Sequence, residues 1–112
     1  MTIVRHREMA AGRWWELTLA EQMGHVGSEV SRTLRWKSRD AKIALRAMHR
    51  ALELIDLTLA DPRCRRSVAR LREIARAREV FVDFVEGSNQ YRSTGDSLQR
   101  YFDAYAVASR KR

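Results

Sequence analysis

The stretch Asp40–Pro62, DAKIALRAMHRALELIDLTLADP, decides the fold. Ala41, Leu45, Met48, Leu52, Ile55 and Leu59 recur at alternating spacings of four and three. That is helical spacing with a heptad seam. Asp40 stands where a carboxylate can accept the free amide protons of a first helical turn. Asp61 and Pro62 close the segment. Proline fits the first position of the next helix, where its missing N–H costs nothing, and Asp61 can cap that helix. A turn this tight makes the helices on either side antiparallel neighbours.

Working outward, Thr18-Leu19-Ala20-Glu21 is a capping box that starts an earlier helix. Leu19, Met23, Val26, Val30 and Leu34 form its apolar stripe, and it should run to about Lys37. Downstream, Pro62 to about Glu86 reads as one long helix, with Cys64, Val68, Leu71, Ile74, Ala75, Phe81, Val82 and Val85 on one face. Gly87 suits its C-terminal stop, because glycine takes positive φ without strain. A last, shorter helix spans about Asp96 to Ser109, capped by Ser93 or Thr94, with Leu98, Tyr101, Phe102, Tyr105 and Ala108 facing inward. The expectation is an all-α chain: an up-down-up-down four-helix bundle over residues 18–112, preceded by a short N-terminal arm or extra helical turn over residues 1–17.

The chain has 112 residues, 45% hydrophobic and 32% charged, the balance of a folded single domain. Cys64 is its one cysteine, so no intrachain disulfide can form. No apolar run approaches the roughly 20 residues that span a bilayer, and MTIVRHREMAAGRWWE lacks the apolar block of a signal peptide. The expectation is a cytoplasmic protein without membrane contact.

The formal charge is +8, and almost all the basic residues are arginine. Such an excess attracts polyanions, because neutralising phosphates releases condensed counterions. It equally suits solvated helix faces. The arginines concentrate in RCRRSVARLREIARAR, residues 63–78. Arg63, Arg66 and Arg70 fall along one flank of the apolar arc; Arg65, Arg72 and Arg76 share the outer face. Arg110, Lys111 and Arg112 add a basic end. These nine residues are the candidate nucleic-acid contacts, made to phosphate rather than base edges, since no helix-turn-helix signature accompanies them. In the arm, Arg5, Arg7 and Arg13 precede Trp14 and Trp15. Those rings suit either stacking on bases or burial against the bundle.

Arg78 lies within the apolar arc of its helix and requires carboxylate partners there. Asp56 and Glu29, each beside a neighbouring stripe, are the candidates, making Glu29, Asp56 and Arg78 a predicted polar network inside or at the margin of the bundle. It either fixes helix register or holds a small anion. Ala20, Gly24, Gly27, Ser28 and Ser31 form a small-residue face. Glycine weakens a helix by about 1 kcal/mol relative to alanine, so close approach of another backbone is expected, from a neighbouring helix, a second subunit or a ligand. The polar loop EGSNQYRSTGDS, Glu86–Ser97, holds Tyr91 and Arg92; Tyr91 either covers the ends of the first two helices or serves a binding loop.

Chemistry is narrowly bounded. His6, His25 and His49 are scattered, with no HExxH, CxxC or Glu-x-x-His spacing, so neither metal nor cofactor is expected. Cys64 opens an arginine-rich turn that would lower its pKa, against a plain packing role. GSNQYRSTG lacks the lysine of a phosphate loop. The arginine followed four to six residues later by histidine that marks HEPN-type ribonucleases is also missing.

In size, charge and helix count, residues 18–109 resemble two groups of small prokaryotic helical bundles: the ribosomal S23-type intervening-sequence proteins and the accessory variability proteins of diversity-generating retroelements. The resemblance implies a basic homo-oligomer, and for the second group an accessory that contacts nucleic acid. The expected function is therefore a non-enzymatic accessory protein that binds RNA or DNA through phosphates. The alternative is a protein-interaction module, such as the helical partner of a toxin–antitoxin-like pair.

Overall fold

The computed structural model describes residues 11–110, and all its regular structure is helical, with no strand among the described residues. After a helical turn at residues 11–14 come α1 (Leu19–Trp36), α2 (Ala41–Leu59), the short α3 (Pro62–Arg65), α4 (Val68–Val85) and α5 (Gly95–Arg110). No helix among them is long and apolar enough to cross a membrane.

The caps carry the boundaries. Thr18 Oγ1 accepts from the Glu21 amide at 3.1 Å, and Glu21 Oε1 accepts from the Thr18 amide at 2.9 Å. Asp40 accepts from the amides of Lys42 and Ile43, and Asp61 from that of Arg63. At α5, Thr94 and Ser97 cap reciprocally: each hydroxyl accepts the other residue's amide at 2.9 Å. Each bond satisfies an amide that has no intrahelical partner.

The expected single helix from Pro62 to Glu86 is broken. Ser67 caps α4 by accepting from the Arg70 amide at 3.2 Å, an alternative that serine offers the backbone wherever it meets a potential helix start. The break turns Val68, expected on the buried face, out to 62% exposure, while Cys64 stays buried.

α1 is the hub. It lies along α2 on one side and α5 on the other. Gly24 faces Ala106, and Gly27 faces Phe102, so α1 and α5 run in opposite directions. Gly24 and Gly27 of the small-residue face thus serve helix packing, while Ser28 is exposed. On α2 the buried residues are Ala44, Ala47, Met48, Ala51, Ile55 and Thr58, a stripe rotated by about 70° from the expected seam at 100° per residue. Leu45 is 44% exposed. Three alanines hold the centre because they let α1 approach, and the leucines sit beside the contact. Met23, Val26, Val30, Met48, Ile55, Ile74, Phe81 and Phe102 form the heart of the core.

α4 packs on α2, more sparsely than α1 does. Lys37 ties its far end to α1, donating to the Phe84 carbonyl at 3.3 Å with its ammonium 4.2 Å from the Phe84 ring centroid.

The two glycines of α1 should respond oppositely to alanine. A Cβ on Gly27 would lie 2.9 Å from Phe102 Cβ, whereas one on Gly24 would make ordinary contact at 3.6 Å with Ala106. Gly27→Ala should destabilise by about 1–3 kcal/mol through overpacking. Gly24→Ala should gain up to about 1 kcal/mol from helix propensity. Urea unfolding midpoints measure both.

Candidate functional site

The arm and the α2–α3 turn meet in a buried polar knot that removes one arginine from the predicted interface. Asp61 is 1% exposed and Gln22 fully buried. Arg63 grips the Asp61 carboxylate through Nε (3.2 Å) and NH2 (2.7 Å), and NH2 also donates to the carbonyls of Trp15 and Leu17. Gln22 Nε2 donates to Asp61 at 2.9 Å and to the Trp14 and Leu17 carbonyls. Three acceptors facing Nε2 fix the amide's orientation and leave Gln22 Oε1 without a partner among the described residues. Burial pushes the Asp61 carboxyl up, but the bonds from the Arg63 side chain, the Gln22 amide and the Arg63 backbone prevail and hold it below its ordinary value.

The tryptophans fold back rather than stack outward. Trp14 Nε1 donates to Thr58 Oγ1 at 3.0 Å and Trp15 Nε1 to the Leu57 carbonyl at 2.8 Å. Burial raises the Cys64 thiol, and Asp61 adds to this; together they outweigh the lowering by Arg70 and Arg65. Of the two readings of Cys64, its full burial in the core accords with the packing role.

Arg78 pairs with Asp56, Nε to Oδ1 at 2.8 Å and NH2 to Oδ2 at 3.3 Å. The two side chains are 37% and 56% exposed, so the pair lies at the rim and not within the core. Such pairs contribute about 0–1 kcal/mol. Glu29 is not part of it; it bonds Arg32 at 3.5 Å. The expected three-residue network is therefore an exposed pair, because the long Arg78 side chain reaches past the apolar arc to the edge of α2.

The remaining predicted contacts divide cleanly. Arg65, Arg66, Arg70, Arg72 and Arg76 are exposed and form no ion pair among the described residues. Arg110 Nε bonds the Ala106 carbonyl at 3.3 Å. Lys111 and Arg112 lie outside the described residues, as do Arg5 and Arg7.

Tyr91 does not cover α1 and α2. The Asp83 carboxylate accepts from the amides of Gln90 (2.9 Å) and Tyr91 (3.0 Å), folding the loop onto α4. The Tyr91 hydroxyl donates to Glu79 at 3.0 Å, and its ring centroid lies 5.6 Å from the Arg76 guanidinium. Positive φ falls on Asn89 (57°) and Arg92 (53°), not on Gly87. Gly87 is needed instead for space, since a Cβ there would sit 2.9 Å from the Asp83 carbonyl oxygen.

Between α4 and α5 the surface opens into two grooves. One, of about 250 Å³, has walls of Ala77, Val80, Leu98, Tyr101 and Phe102, with Glu73, Arg76, Ser93 and Ser97 as its polar groups. The other, of about 510 Å³, runs along Met23, Ile74, Tyr101 and Tyr105 and includes Arg70. Glu73 and Tyr101 belong to both. The Tyr101 and Tyr105 hydroxyls are 3.1 Å apart, and Tyr101 donates to Glu73 at 3.5 Å. Burial, then the mutual bond and Glu73, raises the Tyr101 pKa far above its ordinary value; burial likewise raises that of Tyr105. The pair was foreseen only as inward-facing rings. Its signal was two tyrosines four apart, opposite a glutamate on the preceding helix.

No match to this chain came from comparison with protein families, curated proteins or solved structures. Among the described residues no three His, Cys, Asp or Glu side chains gather as a metal ion would require. The surface that the geometry offers is thus the exposed arginines of α3 and α4 beside an apolar groove.

Asp61→Ala should lower stability by about 1–3 kcal/mol at neutral pH, by stranding Gln22 and Arg63. The folded Asp61 pKa is depressed, so its contribution is present above the unfolded value of 3.8 and lost as pH falls through the lower folded value. Denaturant midpoints of wild type and variant should therefore converge in acid. For Tyr101 and Tyr105 the sign reverses. Their folded values are raised, so stability holds below the ordinary value of 10.0 and declines as pH climbs above it. Ultraviolet titration of tyrosinate should show these two ionising only above that pH, with loss of helical circular dichroism.

Proposed function

We propose that the chain is a non-enzymatic accessory protein that binds nucleic acid through phosphates, using the exposed face of α3 and α4. Its four long helices form an up-down-up-down bundle on this reading, in keeping with the opposed contacts of α1 with α5. One observation carries the functional reading: Arg65, Arg66, Arg70, Arg72 and Arg76 stand exposed within twelve residues, from the end of α3 into α4, with no carboxylate of the described chain paired to any of them. Glu73 is the one carboxylate within that stretch, and it accepts from Tyr101 instead of pairing with these arginines. A polyanion gains by counterion release at each such group.

Arg63 takes no part on this reading, being committed to Asp61, Trp15 and Leu17. Arg78 is likewise held by Asp56.

Five phosphate contacts should give a slope of log affinity against log salt of about −4, and a loss of roughly 10²–10³-fold between 50 and 200 mM salt. Replacing Arg65, Arg66 and Arg72 by alanine should flatten that slope by about one per arginine, with helicity intact. Fluorescence anisotropy on labelled RNA and DNA measures both. An affinity indifferent to salt contradicts phosphate binding. A chain that ignores nucleic acid but co-purifies with an acidic protein favours the protein-interaction reading.

A further inference from the structure

We infer that the smaller groove between α4 and α5 is a slot for one unpaired nucleobase, which makes single-stranded nucleic acid the substrate class of the basic face; this rests on the phosphate reading above. Three observations meet here. First, the groove, about 250 Å³, is walled by apolar side chains and the rings of Tyr101 and Phe102. Unpaired bases are held against surfaces of this kind, because every base offers an apolar π-face. Second, its polar groups suit a base edge. Glu73 can accept from an exocyclic amine as carboxylates do from cytosine N4, and the Tyr101 hydroxyl and Ser93 stand along the same cleft, while the Ser97 hydroxyl stays with the α5 cap. Third, the cleft joins the cationic row. Arg76 belongs both to the groove and to the exposed segment, and Arg70 lines the adjoining groove. A base entering the cleft therefore brings its phosphate to an arginine with no carboxylate paired to it among the described residues.

Tyr91 forms an aromatic lip beside Arg76. Its hydroxyl is anchored on Glu79 and its amide on Asp83, and the residue is 43% exposed with its ring next to the guanidinium. A ring so fixed stacks on a neighbouring base at little cost in conformational freedom. A duplex cannot use the cleft without unpairing and unstacking the base that enters.

The test uses the full chain and fluorescein-labelled ten-nucleotide strands of cytidine, uridine and deoxycytidine, with a ten-base-pair duplex, at one fixed salt concentration. Wild type should bind oligocytidine about tenfold or more tighter than the duplex, and tighter than oligouridine. The ribose and deoxyribose strands reveal which sugar the cleft prefers, and tight binding of either meets the expectation. Val80→Trp, which fills the cleft, should erase the preference for single strands while leaving duplex affinity unchanged. Tyr91→Ala, at an exposed position, should weaken strand binding several-fold and spare the duplex. Should Val80→Trp fail to fold, Glu73→Ala serves in its place, and the preference of cytidine over uridine should disappear. Equal binding of strand and duplex by wild type, or preferences unmoved in folded Val80→Trp or in Glu73→Ala, overturns the slot and leaves phosphate binding standing. Binding to neither strand nor duplex overturns the phosphate reading, and the slot with it.

Discussion

The contact of Gly27 with Phe102 sets the geometry on which the rest of the molecule depends. A side-chain carbon at residue 27 would lie 2.9 Å from Phe102 Cβ, so α5 reaches its position on α1 only because none is there. On the other side of α1, Ala44, Ala47 and Ala51 let α2 come close in the same way. Small residues thus draw both neighbours tightly onto one helix. α4 is left to dock on α2, and a cleft opens between α4 and α5. The glycines weaken α1 intrinsically, and close packing offsets that cost while shaping the cleft at a distance.

Charge is distributed by a second economy. Four acids of the chain are occupied with backbone: Asp40 and Asp61 cap helices, Glu21 closes the capping box, and Asp83 holds the loop before α5. Each carboxylate engaged with amide protons or a local arginine is one fewer to neutralise α3 and α4. Arg65, Arg66, Arg70, Arg72 and Arg76 are left exposed and without a paired carboxylate among the described residues. The proposed function draws on those five groups, and the inferred slot adds selectivity where one end of the arginine row meets the cleft.

Where the sequence pattern carried local chemistry, it was readable. Thr18 with Glu21, Asp40, and Asp61 before Pro62 announce helix starts, because capping depends on a few adjacent residues. The glycine face of α1 likewise announced a close neighbour. What could not be read depends on choices settled only by packing. Ala44, Ala47 and Ala51 are as compatible with a buried as with an exposed face, so the stripe on α2 was read about 70° away. Ser67 within a helical pattern is silent until its hydroxyl finds the Arg70 amide. Gly87 looked like a positive-φ stop, but the constraint is the nearness of Asp83, and the left-handed positions fell to Asn89 and Arg92. Arg63 is exposed, but its commitment to the Trp15 and Leu17 carbonyls could not be read, because they are more than 45 positions away in sequence. Gln22 stands at the edge of the α1 stripe, about 40° beyond Val26 at 100° per residue, and its burial there requires bonds for its amide.

The most direct test of the account is to observe where an oligonucleotide lands. Two-dimensional NMR spectra of backbone amides and arginine Nε–H groups, recorded as a single-stranded decamer is added, report each residue separately. The account expects the largest shifts at Arg66, Arg70, Arg72 and Arg76 and at the amides lining the α4–α5 cleft, with Arg63 and Arg78 little changed. Shifts concentrated instead at Arg46 and Arg50 on α2, or no shifts at all, would contradict it.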